Sequence, residues 1–70
     1  MKTTWHIARS DGGRLLFFAG FAPGGELTVS DDKEKAVTFA SQHTARQFAA
    51  ELMNSTGDGW FPMQFAEEET

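Results

Sequence analysis

Cysteine is absent from this 70-residue chain, and with it go any disulfide framework and any thiolate zinc site. A chain without cross-links folds on hydrophobic burial alone and suits a reducing compartment, so a cytoplasmic location is expected. No apolar run approaches the ~20 residues that a membrane-spanning helix needs. The opening Met-Lys-Thr-Thr-Trp-His lacks the apolar stretch of a signal peptide, so neither a membrane nor an export route is expected. Basic residues are also few. Lys2, Arg9, Arg14, Lys33, Lys35 and Arg46 are scattered against ten acidic residues, giving a net charge of −4 and a pI near 4.9. A protein that grips phosphate backbones carries a basic patch, so direct nucleic-acid binding is not expected. A basic protein surface is the better electrostatic match.

Signatures of chemistry are missing too. His6 and His43 are the only imidazoles. They show no HxxxH or HExxH spacing, whereas a metal site needs three or four ligands in suitable geometry, so no metal or cofactor is expected. Ser10 and Asp11 near His6 do not make a nucleophilic triad. They open a turn, where Ser and Asp bond the local backbone. The glycine pairs fit neither a P-loop nor a dinucleotide fingerprint, and the aromatics do not follow an RNA-stacking pattern. Asp31, Asp32 and Glu34 lack the alternation, central Gly and distal Glu of a calcium loop, and read as a solvated turn. No pair of groups has a mechanistic spacing, so an enzyme is not expected.

What the chain does have is apolar mass: 40% hydrophobic residues, seven Phe and two Trp. That is enough for one packed domain, expected over residues 1–66, with Glu67-Glu-Glu-Thr70 as an acidic tail. Thr3 to Arg9 reads as a half-buried strand, with Trp5 and Ile7 on one face and Thr4, His6 and Ala8 on the other. Ser10-Asp-Gly-Gly13 turns the chain into a second strand, Arg14 to Ala22, making a hairpin. Pro23-Gly-Gly25 ends it. Glu26 to Val29 alternates again, Ser30 to Lys35 forms a charged turn with room for one helical turn, and Ala36 to Phe39 reads as a short strand. Ser41 caps a helix whose apolar stripe is Ala45, Phe48, Ala49, Leu52 and Met53. Gly57 closes the helix. Trp60 to Ala66 is the last strand, with Phe61, Met63 and Phe65 on one side, and Pro62 directs it to a sheet edge.

The order β-β-β-(β)-α-β predicts an α+β domain: a small antiparallel sheet of 3–5 strands with one helix packed on one face. The stretch "RLLFFAGFA" then poses a problem. Strict alternation puts Leu15, Phe17, Ala19 and Phe21 on one face and Leu16, Phe18, Gly20 and Ala22 on the other, and one helix covers only one set. The second set is closed by Trp60 or Trp5, by sheet curling, or by another molecule. Phe17, Phe18 and Phe21 are therefore candidate partner-binding residues, and Asp31, Asp32, Glu34, Glu67, Glu68 and Glu69 are the acidic candidates for a basic partner.

The layout around "AVTFASQHTARQFAAEL" (Ala36 to Leu52) resembles that of very small phage and mobile-element proteins: an N-terminal hairpin, A-x-x-F, a capped helix and a closing strand. In this it is similar to compact acidic anti-CRISPR inhibitors. The resemblance implies a protein partner, a bacterial host cytoplasm, and inhibition by occupying a nucleic-acid-binding surface, with no residue role to carry over. The alternative expectation is a homodimeric structural or regulatory module without inhibitory activity.

Overall fold

The computed structural model describes residues 2–67, and the side chains of residues 3–66. Four strands form one antiparallel sheet: β1 Lys2–Asp11, β2 Arg14–Phe21, β3 Leu27–Ser30 and β4 Phe61–Glu67, in the order β3-β2-β1-β4. A single helix, α1 (Gln42–Thr56), packs on one face. This is the expected α+β architecture.

The β1–β2 hairpin closes through Gly12 and Gly13, at φ 58° and 83°, between the paired residues Asp11 and Arg14. Positive φ at both central positions is the type I′ turn, whose twist matches that of the strands, and glycine supplies it without steric cost. Ser41 caps α1, its hydroxyl accepting from the Thr44 N–H at 3.3 Å. At the other end the Gly57 N–H donates to the Met53 carbonyl at 2.8 Å. The buried stripe of α1 is Ala45, Ala49 and Leu52, with Phe48 partly buried. Met53 departs from the expected stripe at 45% exposure. It sits about 80° around the helix from Ala45 at 3.6 residues per turn, which takes it to the rim.

Ile7, Phe18, Ala45, Ala49, Leu52 and Trp60 make the core beneath the helix, with Trp5, Leu27, Val29, Val37, Phe39 and Phe48 packed around them. Both tryptophans therefore belong to the helix side, and neither covers the opposite face. The Trp60 indole N–H donates to the Thr56 hydroxyl at 2.9 Å, and that hydroxyl donates to the Leu52 carbonyl at 2.8 Å. This ties the end of α1 to the start of β4.

Two departures from the sequence expectation shape the sheet. First, the strict alternation of β2 breaks between Phe18 and Phe21, where the register with β3 shifts. Gly20 lies in this break at φ 101°. Phe21 consequently leaves the Phe17 face and packs edge-on against Phe18, ring centroids 5.5 Å apart. Second, Ala36–Phe39 is not a strand. The β1–β2 ladder stops at the Ala8–Phe17 pair. Beyond it, Val37 donates to the Phe18 carbonyl on β2 at 3.0 Å, while Phe39 exchanges two hydrogen bonds with Trp5 on β1, at 2.8 and 3.3 Å. The connector fills the gap where β1 and β2 separate.

Leu52→Ala is expected to cost roughly 2–5 kcal/mol in urea unfolding, because a buried aliphatic side chain leaves a cavity. Gly20→Ala should cost about 1–2 kcal/mol through backbone strain alone, since an added Cβ would meet only Val37 Cγ2, at an ordinary 3.9 Å. An unchanged unfolding midpoint for Gly20→Ala would show that the bulge relaxes freely.

Candidate functional site

β1 is one of the two inner strands of the sheet, and the structure corrects its reading as half-buried. Thr4, His6 and Ala8 are buried on one face, as Ile7 is on the other. Directly opposite residues in an antiparallel pair share a face. The register therefore groups Thr4 with Phe65, His6 with Met63, Ala8 with Phe61 and Phe17, Ser10 with Leu15, and Phe17 with Ser30. All of these lie on the face away from α1.

His6 is the centre of this face. It is 1% exposed rather than a surface histidine. Its ring meets Phe17 at 6.0 Å and Phe65 at 5.4 Å between centroids, and Phe17 meets Phe65 at 5.8 Å, all edge-to-face. Ala8, directly across from Phe17, is small enough to leave room for the rings. The His6 Nδ1–H donates to the Val37 carbonyl at 3.1 Å. A carbonyl only accepts, so the proton is on Nδ1, and Nε2 faces the Thr4 hydroxyl at 3.5 Å. The ring is thus held by packing and by polar contacts on both nitrogens. Above it runs the connector from β3. Asp32 caps a single 3-10 turn, Lys33–Lys35, its carboxylate accepting from the Glu34 N–H at 3.0 Å. Lys33 Nζ sits 4.7 Å over the Phe65 ring, a cation–π contact.

The connector covers only part of the face. Phe61 is 38% exposed, and Leu15, Met63 and Phe65 are half-buried. All four lie on the sheet face that α1 does not cover. The candidate partner-binding residues sort against this geometry. Phe18 is 3% exposed beneath α1 and Phe17 is 6% exposed within the ring cluster, so both rings are internal and neither offers itself to a partner. Phe21 is 57% exposed but stands on the helix side. Asp31 is exposed and pairs with exposed Arg14 at 3.1 Å. Asp32 and Glu34 have the local capping role just described. Glu67 continues the β4 main chain opposite Lys2, while Glu68 and Glu69 lie outside the described residues.

The residues missed from sequence are Leu15, Phe61, Met63, Phe65, His6 and Lys33. The signal for Phe61, Met63 and Phe65 was the alternation of β4, and for Leu15 that of β2. His6 reads from sequence as a strand-surface histidine; its burial follows from the inner position of β1, which only the strand order reveals. Among the described residues, no three His, Asp or Glu side chains gather to hold a metal ion, and no helix is long and apolar enough to cross a membrane. Compared with known proteins, the chain matches no family model, no curated protein and no solved structure.

Phe17→Ala is expected to cost about 3–5 kcal/mol, as for an aromatic ring removed from a core. His6→Phe should keep the ring packing but leave the Val37 carbonyl without its donor, costing about 1–3 kcal/mol. Guanidinium titrations of both variants check this. Losses no larger than those of surface substitutions would place the ring cluster outside the stabilising core.

Proposed function

We propose that the chain is a non-enzymatic protein-binding module that docks through its helix-free sheet face onto a partner with a basic surface. The observation that carries this reading is the set of apolar side chains Leu15, Phe61 and Met63, left partly open on the helix-free face beside the His6–Phe17–Phe65 ring cluster. Apolar anchors held on a rigid sheet lose little entropy on binding and supply most of an interface's affinity. The net charge of −4 supplies the steering term, favouring encounter with a positively charged surface. The imidazole most enclosed by the fold is committed to structure through Val37 and Thr4, which favours binding over chemistry. The more specific form of the reading is inhibition of a bacterial nucleic-acid-handling complex, in the manner of anti-CRISPR proteins. It draws on the hairpin–helix–strand layout and the acidic charge.

The test is capture from a bacterial lysate with the wild-type chain and with a Leu15→Ser, Phe61→Ser, Met63→Ser variant. A protein retained by the first and lost by the second, with weaker retention at high salt, is the expected result. Adding the wild-type chain to that purified protein should then displace its nucleic acid. Circular dichroism establishes that the variant is folded. Equal capture by both chains would sink the docking surface, and capture without displacement would sink the inhibitory role.

A further inference from the structure

We propose that the outer edge of β4 pairs antiparallel with the same edge of a second copy of this chain, with the twofold axis at Gln64. The reasoning starts at Trp5. Its N–H and its carbonyl both bond to Phe39, at 3.3 and 2.8 Å. Neither is left to face β4, so Trp5 and Gln64 form a non-hydrogen-bonded pair. Such pairs alternate along an antiparallel ladder. Ile7–Pro62 and Thr3–Ala66 are therefore of the same kind. The main-chain groups of Pro62, Gln64 and Ala66 point away from β1, toward the free edge of the sheet. Proline is tolerated at position 62 because its missing N–H would have faced outward.

The free edge thus presents N–H groups at Gln64 and Ala66, and carbonyls at Pro62, Gln64 and Ala66. This set complements itself about Gln64. The Gln64 N–H and carbonyl meet their counterparts reciprocally, and each Ala66 N–H meets a Pro62 carbonyl. The one donor that proline withholds falls opposite Ala66, toward the end of the ladder. Gln64 and Ala66 are exposed, and the Gln64 amide both donates and accepts, so it pairs with its own copy. The register also sets Met63 beside Phe65 of the second copy on the helix-free face, joining two apolar rows across an eight-stranded sheet. Charge selects the antiparallel mate. Glu67 is the last residue of β4; antiparallel pairing sets its position opposite Phe61 of the second copy, whereas parallel pairing sets the two Glu67 positions side by side. The other sheet edge, β3, has only four residues between Pro23-Gly-Gly25 and the charged turn, and a short edge is a poor template for pairing.

Sedimentation equilibrium of the full chain, from micromolar to millimolar, tests the pairing. The wild type should form a reversible dimer. Gln64→Pro removes only an outward N–H and leaves the β1–β4 ladder intact, yet should raise the dimer Kd at least about tenfold through loss of two symmetric hydrogen bonds. Gln64→Lys and Gln64→Glu should each be monomeric alone, because like charges face each other across the axis, and should form a heterodimer when mixed. That charge-swap arm decides the matter should Gln64→Pro fail to fold. A wild type that stays monomeric at millimolar concentration overturns the pairing while leaving the docking face of the previous subsection standing. A dimer indifferent to all three substitutions overturns it as well, and shifts self-association to another surface.

Discussion

The sheet depends on how the second face of its central strand is sealed. A single helix closes the Ile7 side of β1, and nothing comparable is available for the Thr4–His6–Ala8 side. The solution is a histidine hydrogen-bonded to the connector that runs above it. A buried imidazole is costly unless its polar atoms are matched. The Val37 carbonyl, 3.1 Å from Nδ1, supplies the match and fixes the connector at the same time. Val37 also bonds Phe18 on β2, and Phe39 bonds Trp5 on β1. One short segment therefore spans the gap between two strands, satisfies the histidine, and delivers the chain to the helix side. In a domain that buries only ~60% of its unfolded surface, such double use of a connector replaces the second helix that a larger protein would employ.

The same device explains where the exposed apolar surface lies. The connector carries Asp31, Asp32, Lys33, Glu34 and Lys35, whose charged ends stay in water while Lys33 lays its ammonium over Phe65. A charged segment shields rings through cation–π contact and main-chain bonding, not by an apolar lid. It shields what it reaches, namely His6 through the Val37 carbonyl and part of Phe65 through Lys33. Leu15, Phe61 and Met63 remain open around it. The candidate docking row is thus the part of the second face that the connector leaves uncovered.

Much of this was legible in the sequence, for local reasons. The Asp-Gly-Gly turn, the Ser41 cap, the Gly57 terminator and the Ala45–Ala49–Leu52 stripe each follow from a few neighbouring residues and the bonds they make. Pro62 foretold an edge strand because a missing donor has only one harmless direction. The errors arose where tertiary contact overrides period. Alternation assigned Phe21 to the Phe17 face, but a glycine at positive φ shifts the phase, and nothing local distinguishes Gly20 from a glycine of ordinary conformation. Ala36–Phe39 has the composition of a strand, yet it is paired to two different strands at once and so belongs to neither. His6 looked like a surface residue because sequence does not reveal that β1 is central.

Strand order, then, more than composition, decides what this surface can do. Placing β1 in the middle consumes its side chains in two cores and leaves β3 and β4 as edges. β3 is blunted by shortness. β4 has seven residues, and its one protective device, Pro62, removes a single donor and leaves the Gln64 and Ala66 groups in place. The apolar row of β4 lies on the same face as the ring cluster, so the free edge and the open face meet along one strand. A molecule that adds a strand to β4 would extend the face, and one that covers the face would reach the edge. β4 is thus the strand on which the free edge and the open part of the helix-free face coincide, so both proposed contacts draw on it.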